Sequence, residues 1–218
     1  MSDPTRRSGA IILVTGFGAF PGAPFNPSAA IVSRLGGRAA RRLARLGVLI
    51  EPRILPVIFE GAEDRLSALL DEIRPDAVLH IGLAGRRRDL GVETRARNVL
   101  SMLHPDAGKR FARQRCVEAG GPAARPVRLS ARRMAVALSR AGAATRPSID
   151  AGTYACNQTL FCTLARDVRL AGFIHVPRPR GRRRLDRAKK PARPTLAAMT
   201  RGIEDVLVLI AIELRRAG

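Results

Sequence analysis

Two residues with complementary chemistry lie in suggestive surroundings: Cys156, in Asp150-Ala151-Gly152-Thr153-Tyr154-Ala155-Cys156-Asn157, and His175, in Phe173-Ile174-His175-Val176-Pro177. A thiol becomes an effective nucleophile when an imidazole can take its proton, and the same imidazole can later return that proton to a leaving group. The cysteine opens an amphipathic stretch (Leu160, Phe161, Leu164) with Gly152 shortly before it, which places the sulfur near a helix N-terminus. There the aligned peptide dipoles and a nearby imidazolium both favour thiolate. The plain alternatives are a small buried hydrophobe for Cys156 and, for His175 among Phe173, Ile174 and Val176, a strand histidine with its hydrogen bonds satisfied.

The elements that must position these groups alternate along the chain. Ile11-Ile12-Leu13-Val14 is a short aliphatic run of buried-strand type ending at Gly16, followed by a loop from Phe17 to Phe25 carrying Gly18, Pro21, Gly22 and Pro24. Gly16, Gly18 and Gly22 do not make a nucleotide loop, because Pro21 stands where GxGxxG needs glycine. Asn26 followed by Pro27 reads as a cap and first helical residue, with Ala30, Ile31 and Leu35 on one side before Gly36-Gly37, and a second basic helical piece reaches Leu46. Val48 to Val57 reads as a strand, Ala62 to Ile73 as a helix, and Ala77 to Leu83 as an apolar strand after the stop at Pro75. Val127-Arg128-Leu129 (strand), Ala131 to Ala141 (helix), the Cys156 helix and Gly172 to Val176 (strand) continue the rhythm. The expectation is an α/β chain, one domain over residues 1–218, with a sheet flanked by helices. A basic, mobile surface loop is expected over 178–193, then a C-terminal helix over about 194–216, in which Leu196, Met199, Ile203, Val206, Leu207 and Ile210 form one apolar face.

Composition narrows the function classes. A chain of 218 residues suffices for one α/β domain burying roughly 70% of its unfolded surface. No apolar run reaches the ~18 residues of a membrane span, and Ile11 to Val14 is too short for a signal-peptide core. Cys116, Cys156 and Cys162 make neither an even disulfide set nor a CxxC pair, so the expected compartment is the reducing cytoplasm and no metal or cofactor is expected. The formal charge of +21 attracts polyanions, yet only Lys109, Lys189 and Lys190 of the 39 basic residues are lysine, and the arginines are spread from Arg6 to Arg216. With aromatics at 4% and no nucleic-acid motif, any such binding is expected to be non-specific.

Four separated segments carry a resemblance. Thr15-Gly16-Phe17 with Asn26-Pro27-Ser28, Gly82-Leu83-Ala84-Gly85 with Val92-Glu93 and Asn98, the Cys156 run and the His175 run resemble, in that order, the signatures of pyroglutamyl peptidase I, cysteine peptidases that remove an N-terminal pyroglutamyl residue. The resemblance runs from about Ile11 to Pro177. It implies an α/β/α sandwich around a central twisted mixed sheet of the phosphorylase/hydrolase-like kind, a soluble protein, a pyroglutamyl peptide as substrate and self-association into a homo-oligomer. It further implies Cys156 as nucleophile through a thioester, His175 as acid and base, and Glu93 as the group orienting the imidazole. Without the resemblance, Glu93 near Arg95 and Arg97 reads as a surface ion pair. Phe17 and Phe20 match the aromatic positions lining the family's pocket for the neutral lactam ring, although phenylalanines after a strand also serve as plain core. One position departs: the arginine that the family places just before Pro105-Asp106 to stabilise the oxyanion is Leu103 here. A slow peptidase, an altered specificity, or compensation by Arg95 or Arg97 would each follow, as would two wider readings: a cysteine hydrolase of another small acyl or amide substrate, or a weakly active member binding polyanions.

Overall fold

The computed structural model describes residues 9–181 and 192–216. Its elements in chain order are β1 (Ala10–Phe17), α1 (Pro27–Val32), α2 (Arg38–Ala44), β2 (Val48–Leu55), α3 (Ala62–Ile73), β3 (Ala77–Leu83) and β4 (Leu90–Glu93), then β5 (Arg95–Arg97), β6 (Ala124–Pro126), α4 (Ala131–Arg140), β7 (Thr145–Ser148), α5 (Ala155–Ala165), β8 (Leu170–Val176) and α6 (Leu196–Arg216). Most of the basic segment expected over 178–193 lies outside the described residues.

Six strands form one sheet in the order β2-β1-β3-β8-β4-β7, and β5 and β6 pair separately. Neighbours run parallel except where β4 meets β8 antiparallel, so the sheet is mixed, as expected. Period-two alternation then sorts the side chains. Ile12 and Val14, Leu79 and Ile81, Leu90 and Val92, and Ile174 and Val176 point into one core with residues of α1, α2, α4 and α6. Leu13 and Phe17, Val78, and Ala171 and Phe173 point into the other, with α3 and α5. By the same alternation His80 and Gly82, Gly91 and Glu93, and Phe173 and His175 all lie on the α5 side of the sheet.

Local chemistry accounts for the boundaries. Asn26 caps α1 by accepting from the Ser28 N–H at 3.1 Å, with Pro27 at the first helical position. Arg74 closes α3 in the left-handed region at φ 48°, donating its N–H to Leu70 O before Pro75 forbids continuation. No helix among the described residues is long and apolar enough to cross a membrane.

The expected strand over Val127-Arg128-Leu129 is not formed. Backbone N–H groups of Arg128 and Leu129 both go to one carbonyl, that of Ala171, while the Arg128 guanidinium bonds the carbonyls of Leu164, Arg166 and Val168. That segment thus caps the C-terminal end of α5, and the strand lies just before it as β6. The short strands β4, β5 and β7 had no counterpart in the sequence reading.

Candidate active site

The two residues with nucleophile and base chemistry meet in one cavity of about 550 Å³, lined among others by Leu83, Arg86, Arg87, Tyr154, Cys156 and His175. It opens at the carboxyl end of the parallel pair β3 and β8, where open α/β sheets offer a crevice. His175 is the register partner of Gly82 on β3 and of Gly91 on β4, so glycine flanks it on both sides. Each missing side chain leaves room that is used. A Cβ at Gly82 would stand 2.8 Å from Cys156 Sγ and 2.6 Å from Phe173 Cζ; one at Gly91 would stand 1.7 Å from Arg87 Nη1.

Cys156 lies in the first turn of α5, after Tyr154 as N-cap, and is partly exposed to the cavity. Its helix is otherwise sequestered: every residue from Asn157 to Leu164 is buried. Behind it, His80 on β3 takes Thr15 on β1 and Thr163 on α5 as partners at 2.6 and 2.8 Å, fastening the helix to the sheet. Burial pushes the His80 imidazole down to about 3, so it is a neutral clamp at ordinary pH. The Asn157 side chain does the same on the other flank, donating to Arg97 O and Val99 O at 2.7 and 2.9 Å and accepting from Arg97 N.

Glu93 is fully buried and His175 is 5% exposed. His175 Nδ1 and Glu93 Oε1 are 2.8 Å apart. A carboxylate can only accept, so Nδ1 carries the hydrogen and Nε2 keeps its lone pair. Arg87 Nη1 reaches the same oxygen at 3.2 Å. The surface pairing weighed for Glu93 is therefore not what forms: Arg95 donates to Ile149 O and Arg97 to Asp150 Oδ1. Desolvation, with the Glu93 charge behind it, pushes the Cys156 thiol up to about 12, against the pull of its own backbone N–H. Burial thus favours the protonated thiol over a standing thiolate.

The loop after β1 is tied down by the residues of the N-terminal motif. Phe17 N donates to Ser28 Oγ at 3.0 Å, Asn26 Nδ2 donates to Gly18 O at 3.0 Å, and a Cβ at Gly16 would fall 2.8 Å from Ser28 O. Phe17 is 2% exposed and packs on Phe173, one layer behind His175. Phe20 instead lines a second cavity of about 440 Å³ that shares Leu83, Gly85 and Arg86 with the first. Its ring also approaches Tyr154, with centroids 5.8 Å apart. Leu103 is 81% exposed. The arginines lining the first cavity are Arg86 and Arg87. Sequence reading had singled out neither, nor Asn157 or His80 as clamps. A fully buried, hydrogen-bonded histidine on an apolar strand has no signature beyond its apolar neighbours.

A family model described as pyroglutamyl peptidase matches residues 10–211. The pyrrolidone-carboxylate peptidase of Chromobacterium violaceum is 36% identical over 166 residues, covering 76% of this chain and 77% of that protein. That of Thermococcus kodakarensis is 33% identical over 214 residues, covering 95% and 98%. Among solved structures, pyrrolidone carboxyl peptidase from Thermococcus litoralis superposes with a TM-score of 0.81 at 26% identity, covering 96% of each chain. Pyroglutamyl peptidase I of Bacillus amyloliquefaciens gives 0.79 at 26% identity, covering 93% of this chain and 97% of that one.

Proposed function

The chain belongs to the pyroglutamyl peptidase family, and from that membership we propose that it hydrolyses the N-terminal pyroglutamyl residue from peptides, with Cys156 as nucleophile, His175 as acid and base, and Glu93 as orienting carboxylate. The observation that carries this reading is the buried 2.8 Å contact between His175 Nδ1 and Glu93 Oε1, behind the cavity that His175 and Cys156 both line.

Cys156 Sγ attacks the pyroglutamyl carbonyl carbon while His175 Nε2 takes the thiol proton, which fits a thiol that is not ionised beforehand. The oxyanion forms beside the N–H groups of the first turn of α5, which have no carbonyl four residues back to bind. Collapse expels the amine of the shortened peptide, which leaves with the proton from Nε2, and a thioester remains on Cys156. Water, deprotonated by the same nitrogen, attacks that thioester. Pyroglutamate departs and the thiol is restored.

The lactam is neutral and its nitrogen already acylated, so it fits an apolar wall such as the loop carrying Phe20, with Phe17 supporting from behind. With Leu103 in place of an oxyanion arginine, stabilisation rests on backbone donors, and turnover is lower by on the order of 10²–10³ than with a further donor. In this reading the chain, 1–218, acts as one domain, and a reducing cytoplasm would keep its thiols free. The test is release of aminomethylcoumarin from its pyroglutamyl amide by wild type and by Cys156→Ala. Slow turnover by wild type and none by the variant is expected; an inert wild type whose Cys156 still alkylates readily would point to another acyl substrate.

A further inference from the structure

Glu93 takes two donors on one oxygen and none on the other. His175 Nδ1 and Arg87 Nη1 both bind Oε1, at 2.8 and 3.2 Å, while Oε2 is buried without a hydrogen-bond partner. Arg87 Nη2 turns the other way and donates to Ser148 Oγ at 2.8 Å and Asp150 O at 3.3 Å. One guanidinium therefore joins the carboxylate on β4 to the connection between β7 and α5, and that connection delivers Cys156. The seat exists because residue 91 has no side chain, since a Cβ there would stand 1.7 Å from Nη1 and 3.0 Å from Cζ.

The geometry points to Arg87 as a positioning residue of this site, which holds Glu93 against His175, offsets part of its charge and anchors the loop leading to the nucleophile. The inference rests on the peptidase reading above. A buried carboxylate facing an imidazole alone favours imidazolium, which cannot accept the thiol proton. Arg87 is a permanent cation on the same oxygen, and it competes with the imidazole for that charge. Among the described residues, the other charged or titratable groups facing the pair are those that line the cavity. Cys156 comes from α5, Tyr154 from its N-cap and Arg86 from the connection between β3 and β4; the Asp150 carboxylate on the cavity rim is already held by Arg97 at 2.8 Å. From β3 the facing residue is the uncharged Gly82.

The chain has three histidines, so their imidazole resonances can be followed individually by NMR across pH. The variants are Arg87→Gln and Gly91→Ala; the second crowds the end of a flexible side chain without altering any charged group. In both, the titration of His175 and the acid limb of kcat/KM should move to higher pH than in wild type. Arg87→Lys should move them less, and kcat should fall more than KM rises. The NMR titration needs no substrate, so an enzyme inert to pyroglutamyl amides would defeat the peptidase reading and leave the role of Arg87 still measurable. Folded Arg87→Gln and Gly91→Ala proteins whose His175 titration matches wild type would show that Arg87 only braces the loop, and would overturn the inference. If Arg87→Gln does not fold, Gly91→Ala carries the test alone.

Discussion

Adding one methyl group at Gly82 should disable the site while leaving the chain folded. The new Cβ would lie 2.6 Å from Phe173 Cζ and 2.8 Å from Cys156 Sγ, whereas heavy atoms settle at roughly 3.5–4.0 Å. Phe173 has nowhere to go: it is fully buried, with the rings of Phe17, His80 and His175 at 6.3, 6.0 and 4.6 Å. The sulfur, on one rotatable bond and facing the cavity, yields first and by about 1 Å. A displacement of that size costs on the order of 10² in rate for a nucleophile that must meet a carbonyl in line. What the sulfur does not absorb appears as overpacking of roughly 1–3 kcal/mol, which for a chain of this size lowers Tm by roughly 2–12 °C. The assay pairs kcat/KM on the fluorogenic pyroglutamyl amide with calorimetric Tm. Gly36→Ala serves as control, because a Cβ there meets nothing within 4 Å. A Gly82→Ala protein within threefold of wild-type activity and unchanged in Tm would refute the close contact between Gly82 and the thiol.

Three further outcomes are expected. His80, held down to about 3 against an unfolded value near 6.5, contributes stability that is fully present above pH 6.5 and lost as pH falls toward 3, by up to about 1.4 kcal/mol per pH unit; urea unfolding of wild type and His80→Gln over that range should show a shallower loss in the variant, and equal slopes would mean the ring is not excluded from protonation. Leu103→Arg should raise kcat by up to roughly 10² with a much smaller change in KM and no loss of stability, since position 103 is 81% exposed; a neutral result would place the oxyanion beyond its reach. Asn157→Ala strands two carbonyls and one N–H of the 97–99 segment and should cost roughly 3 kcal/mol in urea unfolding, whereas a change under 1 kcal/mol would mean that water replaces the amide.

Long apolar elements are readable from the sequence because periodicity and punctuation agree there: α3 and β3 begin and end where Ala62, Ile73, Ala77 and Leu83 suggest. Where pairing is decided at a distance the reading thins. β7 carries the exposed residues Arg146 and Pro147, tolerable only because it is the outermost strand, and nothing local announces it. Arg128 looks like a strand residue until three carbonyls at the end of α5 are seen to need a donor. The site divides in the same way. Cys156 and His175 stand out by type, whereas Arg87 sits between Arg86 and Arg88, and residue type does not tell which of three arginines turns inward. Its selection depends on the gap at Gly91 on the strand that follows and on acceptors at Ser148 and Asp150, some sixty residues away in sequence.

The burial of α5 has a consequence for how this protein wears out. With Asn157 to Leu164 enclosed on all sides and fastened by His80, Asn157 and Arg128, the helix cannot fray or peel away without dismantling one of the two cores. Its amide hydrogens should be among the slowest to exchange, opening only with the whole molecule. Yet Cys156, the proposed nucleophile, hangs from its first turn and faces the cavity. Shelf life and catalytic life should accordingly coincide, because no partial opening removes the thiol from its place, and any substrate-driven adjustment must come from the loops at 83–89 and 149–154 around it.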